Sequence, residues 1–179
     1  MKVYTKSGDD GTTGLLFGGR VRKDSDLPAA YGSVDEAQAS LGVVRAHLDP
    51  ADELSDIVIH VMRDLWVLMA ELATLPENRP KLEDGSTRVT GDMVDALEAH
   101  IDAISERFEP PTEFVVPGVN PVAAQLDVAR TVVRRAERDA LAALDEASHA
   151  GIYLNRLSDL LWTLARWQEG TSTAVRDVV

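Results

Sequence analysis

From Tyr31 onward, apolar residues return every three or four positions. Val34, Ala37, Leu41, Val44 and Leu48 trace one face of a first helix across residues 31–47. Asp52 stands where it can cap a second helix, which carries Leu54, Ile57, Val58, Val61, Leu65, Leu68, Met69 and Leu72. So broad an apolar face predicts burial against more than one neighbour and marks this as the core helix. The stretch PENRPKLEDGST, Pro76 to Thr87, is polar and rich in helix breakers, so a loop is expected there. A third helix over residues 91–108 sets Val94, Leu97, Ile101 and Ile104 on one side. EPPTEFVVPGVNP then interrupts with paired prolines, an extended run and a turn.

A fourth helix begins near Pro121, and its inner face is small: Ala129, Val133, Ala136 and Ala140 let a partner helix come close. A fifth follows Gly151 with Leu154, Leu157, Leu161 and Leu164, a three-four-three stepping suited to bundle packing, and stops by Gly170. With scarcely any strand signal, the pattern predicts an all-α fold, a five-helix up-and-down bundle with a ferritin-like four-helix core. One domain over residues 1–179 is expected, with a glycine-rich segment at 1–28 and the bundle at 29–168.

The glycine-rich segment shows no helical pattern. TKSGDDGTTGLLFGGR, residues 5–20, holds five of the chain's twelve glycines. Glycine serves where φ is positive or where backbone approaches a ligand, and consecutive N–H groups in such a loop form a concavity that binds anions. Thr5, Lys6, Thr12, Thr13, Arg20 and Lys23 add hydroxyl and cationic donors, which favours phosphate as the guest over a plain surface loop. It is not a P-loop, because no Gly-Lys-Ser/Thr stands at the mouth of a helix after a strand. The glycine content also predicts that residues 5–24 gain order only with nucleotide.

Charge narrows the possible partners. Thirty acidic against eighteen basic residues give a net charge of -12, which repels nucleic acid and anionic lipid. Neither a membrane span nor a secretory signal is visible, so a cytoplasmic location is expected. The chain has no cysteine, which removes disulfides, thiolate metal sites and thiol catalysis. Positive charge concentrates at Arg130, Arg134, Arg135 and Arg138. At about 100° per residue, Arg130, Arg134, Glu137 and Arg138 share roughly a third of the helix circumference, while Arg135 falls to one side. Such a face is either a solvated ion-pair ladder or a phosphate clamp in which Glu137 orders the guanidiniums. Asn155, among the leucines of the fifth helix, is either exposed or holds something specific. His47, His60, His100 and His149 are scattered, and only Glu146 with His149 has Glu-x-x-His spacing where a carboxylate di-metal cage needs two such pairs. No metal centre and no nucleophile-base pair is expected.

Five ordered stretches carry a resemblance: TKSGDDGTTGLLFGGRVRKD (5–24), AYGSVDEAQASLG (30–42), FVVPG (114–118), ARTVVRRAER (129–138) and YLNRLSDLLWTLAR (153–166). Together they resemble the ATP:corrinoid adenosyltransferases of the propanediol-utilisation (PduO) type, from Val3 through about Gln168. The resemblance implies a homotrimer with active sites between subunits, ATP and cobalamin as substrates, and Mg²⁺ on the triphosphate. It implies that Thr5, Lys6, Ser7, Gly8, Thr13, Gly14 and Lys23 wrap the triphosphate, and that Arg134, Arg135, Glu137, Arg138 and Asn155 contribute to the nucleotide site. Asp35 and Arg130 correspond to a pair across the subunit boundary, and Phe114 to an aromatic residue at the lower face of the corrin. Arg130, Arg134, Asp35 and Phe114 are thereby the catalytic candidates.

The chain departs from the usual family pattern at Ala29, at Ala37-Gln38, at Val119-Asn120 and at Asp127. Asp127, three residues before Arg130, is placed to compete with Asp35 for that guanidinium. Beside an adenosyltransferase, two alternatives stand: a non-catalytic carrier or sensor of ATP or corrinoid from the same family, and a purely structural bundle. Absence of ATP binding would select the last, and saturable binding without product the carrier.

Overall fold

The computed structural model describes residues 3–178; residues 1, 2 and 179, which the expected single domain includes, lie outside the described residues. Five long helices make up most of the chain: α1 (Asp26–Arg45), α2 (Glu53–Leu72), α3 (Gly91–Ser105), α4 (Pro121–Ala140) and α5 (Ala150–Glu169). α1 packs on α2 and α4, α4 on α1 and α5, and α5 on α4 and α3. The all-α, five-helix expectation therefore holds. The small inner face of α4 does what its sequence suggests: Ala129, Val133, Ala136 and Ala140 are fully buried, α4 packs on α1, and Ala30, Val34 and Ala37 of α1 are fully buried too. Short side chains on both helices let the backbones approach closely.

Local signals set the helix ends, with some departures from expectation. α1 runs from Asp26 to Arg45 rather than over residues 31–47, so Pro28 sits in its first turn, where a missing N–H costs no helix hydrogen bond. Asp52 occupies the N-cap of α2 in extended conformation but makes no side-chain capping bond; Ser55 N–H donates to its main-chain carbonyl instead. Thr90 and Asn120 do cap, accepting from Met93 N–H and Ala123 N–H. α3 ends at Ser105, short of residue 108. α2 buries nearly all of its predicted face but packs chiefly on α1 and leaves Trp66 exposed on its outer side, so it is not the central helix. α5 buries more of its residues than α2 does.

The glycine-rich segment also differs from expectation. It contains two short strands, β1 (Thr12–Gly14) and β2 (Arg20–Arg22), paired antiparallel with Thr13 opposite Val21. The turn between them docks on the end of α2, where Leu16 N–H donates to Ala73 O at 2.8 Å. Gly19 permits that contact twice over: its φ is +90, and a Cβ there would overlap the Leu75 side chain. The strand signal was hidden because each strand is three residues long and the glycines mask any alternation.

Candidate active site

The hairpin gathers polar groups around a tight turn. Arg20 Nη2 donates to Ser7 O and to Thr12 Oγ1, both at 2.6 Å. The Thr12 hydroxyl and N–H both donate to Asp10 Oδ1, and these bonds, the hydroxyl's first, hold the Asp10 carboxyl below its ordinary value. Thr5 and Ser7 share a hydroxyl hydrogen bond of 2.7 Å. Lys23 folds across Gly8, so that a Cβ there would lie 3.0 Å from Nζ. Lys6 has a positive φ of 63, which turns the chain into this cluster. Ser7, Gly8, Thr12, Arg20 and Lys23 are thus one constellation, with Thr13 and Gly14 following Thr12 on β1.

A second constellation lies on α4 and α5. Asn155 Nδ2 donates to Glu137 Oε1 at 3.1 Å, which joins two candidates from different helices. Arg138 Nη1 donates to the Arg134 carbonyl at 2.8 Å, and the Arg134 side chain is exposed. Its sequence spacing suggested that Glu137 orders the arginines, but among the described residues it forms no ion pair with them, and its Oε1 accepts the helix-crossing bond from Asn155 instead. Arg135 lies apart, paired with Glu36 of α1, as its position around the helix requires.

The third feature is an open pocket of about 420 Å³ whose walls include Phe114, Asp127, Arg130, Trp162 and Arg166. Phe114 stands at its mouth and is 89% exposed. Asp127 is 7% exposed and is shared by two arginines: Arg166 Nη2 donates to Oδ2 at 2.5 Å, and Arg130 Nε donates to Oδ1 at 3.2 Å. Arg166 is 3% exposed and also donates from Nη2 to Glu169 Oε1 at 3.0 Å. Its Nε, though 3.0 Å from Glu169 Oε2, is buried and poorly directed for a hydrogen bond. Two carboxylates and two guanidiniums thus balance in a wall where Asp127, Arg166 and Glu169 are buried and Arg130 is partly exposed, and pairing of this kind is what lets buried charge persist. Within one chain, Asp127 holds Arg130 while Asp35 is exposed on α1.

The three constellations are not equally connected. Arg130, Arg134 and Arg138 follow one another at four-residue steps, so the arginine face of α4 leads directly from the pocket. None of the hydrogen bonds or ion pairs among the described residues joins residues 5–24 to Arg134, Glu137 or Arg138. Sequence reasoning passed over Arg166 and Trp162 as pocket residues. The available signal was a guanidinium within the apolar run LLWTLAR, a placement that requires a buried partner.

The chain is similar to known proteins along nearly its whole length. The chain matches the family described as cobalamin adenosyltransferase over residues 3–168. It is 42% identical over 171 residues to a corrinoid adenosyltransferase of Mycobacterium tuberculosis, covering 92% of this chain and 87% of that one. It is 41% identical over 174 residues to a corrinoid adenosyltransferase of Citrobacter freundii, covering 95% and 96%. A solved variant of the PduO-type ATP:corrinoid adenosyltransferase from Lactobacillus reuteri, complexed with cobalamin and ATP, aligns with a TM-score of 0.86 at 27% identity, over 98% of this chain and 100% of that one. The chain belongs to the cobalamin adenosyltransferase family.

Proposed function

We infer that the protein is an ATP:corrinoid adenosyltransferase, moving the 5′-deoxyadenosyl group of ATP to the cobalt of a reduced corrinoid and releasing triphosphate. In this reaction the Co(I) electron pair of the substrate attacks C5′ as the C5′–O bond breaks, and the leaving electron pair departs on triphosphate. The nucleophile comes with the substrate, so the protein needs no general base. Its tasks are alignment of cobalt with carbon and compensation of the charge on the leaving group.

One observation carries this reading: the arginine face of α4 runs from the Arg130 wall of the Phe114 pocket to Arg134 and Arg138, beside the Glu137–Asn155 bond. A corrinoid in the pocket and a nucleotide on that face would be neighbours. Arg134 and Arg138 suit the triphosphate, while the Asn155–Glu137 pair offers polar groups to the nucleoside. Thr5, Lys6, Ser7, Gly8, Thr13, Gly14 and Lys23 would close over the phosphates. Because no hydrogen bond or ion pair joins hairpin and helix face among the described residues, we place them together across a subunit boundary in a homotrimer, with Asp35 of one subunit reaching Arg130 of the next.

Among the described residues, no group of three or more acidic or histidine side chains could hold a metal ion. Mg²⁺ would therefore arrive on ATP, held mainly by phosphate oxygens, as is usual for this ion. No described helix is long and apolar enough to cross a membrane. We read the chain as one cytoplasmic domain.

Anaerobic incubation with ATP and Co(I) cobalamin tests the reading. The expected result is a photolabile cobalt–carbon product formed in equal amount with triphosphate. Saturable binding of both substrates with no product would replace the enzyme by a carrier.

A further inference from the structure

The loop from Glu106 to Asn120 that carries Phe114 has no helix or strand of its own, and Pro110, Pro111 and Pro117 remove three of its donors. The Phe114 ring, largely exposed, gains little anchorage from its own chain, so its position follows from the main chain beneath it. That main chain is held by the segment after α5. Val175 N–H donates to Phe114 O at 2.8 Å, and Val116 N–H donates to Thr173 O at 2.9 Å. Val115 and Ala174 thereby form an antiparallel bridge. Arg176 Nη1 lies 2.6 Å from Glu113 Oε1, immediately before Phe114. Nearer α4, Asn120 Nδ2 donates to Gln168 O at 2.8 Å. The loop is therefore fastened on both flanks of Phe114 and again at the start of α4.

We propose that residues 171–178 are a positioning strap for Phe114, which by pairing with residues 113–116 fix where the ring stands at the mouth of the Arg130 pocket. These residues lie beyond the stretch matched to the family, which ends at 168. The inference rests on Phe114 facing the corrin. There, a well-placed apolar ring keeps an axial base or water from the cobalt and favours the four-coordinate Co(II) form that is more readily reduced. The strap would act on that step and leave nucleotide binding alone. A loosened strap lets the ring wander and readmits the axial ligand.

A single substitution can remove one fastening with little other damage. Val175 is the first residue of a short 3-10 turn, Val175–Asp177, where proline is well tolerated. The preceding Ala174 has φ -67 and ψ 140, a conformation that proline accepts in its neighbour. Val175→Pro thus deletes the donor to Phe114 O and keeps the turn. The expected result is unchanged ATP affinity and unchanged turnover from chemically supplied Co(I). Turnover from Co(II) should fall about tenfold, the equivalent of one well-made hydrogen bond. The four-coordinate Co(II) signature in electron paramagnetic resonance should weaken in parallel. In a Phe114→Ala background, Val175→Pro should add no further loss.

A full four-coordinate signature and full Co(II) turnover in Val175→Pro, or an equal loss in the Phe114→Ala background, would overturn the strap. A chain ending at Gly170 supplies a second measurement that needs no turnover. Hydrogen exchange at the Val116 amide should be slow in the full chain and fast in the shortened one, and equal exchange in both would refute the pairing. Failure of the full-length chain to transfer adenosyl at all would instead refute the enzymatic reading, with Val116 exchange still deciding the strap.

Discussion

Arg166 donates to Asp127 at 2.5 Å across two helices, and the same carboxylate receives Arg130 from its own helix. Asp127 lines the Phe114 pocket, so the charge arrangement of that wall turns on this one carboxylate. Its second oxygen holds Arg130 in the chain that bears it. In the proposed trimer, pairing of Arg130 with Asp35 would compete with that bond.

Asp127→Ala should lower stability by about 3–5 kcal/mol, because it leaves the buried Arg166 with only Glu169 for compensation. Urea denaturation measures this directly. An unchanged midpoint would mean that water or a neighbouring subunit already neutralises Arg166.

Asn155→Ala removes the donor to Glu137 on an exposed surface. Thermal stability should stay the same, while KM for ATP rises about tenfold, as expected for one hydrogen bond to a charged group. Equal KM values would leave the pair a structural contact between α4 and α5.

Glu71 presents a case that no motif announces. Buried near the end of α2, it accepts from Val89 N–H at 2.7 Å and from Ser148 Oγ at 2.5 Å, so it ties the loops before α3 and α5 to one helix. Glu71→Ala orphans the buried Val89 amide and should cost about 2–3 kcal/mol in chemical denaturation. Corrinoid affinity should be unaffected, since neither loop borders the Phe114 pocket.

Stability should also depend on Asp64. Burial raises its carboxyl above the ordinary value, opposed by the hydrogen bond from Tyr153 Oη at 3.2 Å and by the charges of Arg63 and His60. The folded state therefore holds this proton more tightly than the unfolded chain does. Stability from the group is complete below its ordinary value of 3.8 and is lost as pH rises through the raised one. Asp64→Asn should then exceed the parent in stability at neutral pH, with the gap closing towards pH 3.8. A gap independent of pH would contradict this assignment.

Helix positions were legible because each depends on neighbours three and four residues away. The 3.6-residue period placed all five helices, and the alanine face of α4 predicted its close approach to another helix. The clustering of Arg130, Arg134 and Arg138 on one face was equally local, as was the position of Arg135 to the side. Motif order carried the family. The sequence could not say which distant groups would meet, because chain reversal and helix packing decide that. Asp127 with Arg166, Glu137 with Asn155, Glu71 with Ser148 and Phe114 with Val175 are each brought together by topology alone. The glycine-rich segment belongs with them in part: its strands pair with each other, but its docking on the α2 end through Leu16 and Ala73 is a contact that no local pattern reveals. Local periodicity fixes which face each helix buries, while the fold alone chooses the partners of its buried charges.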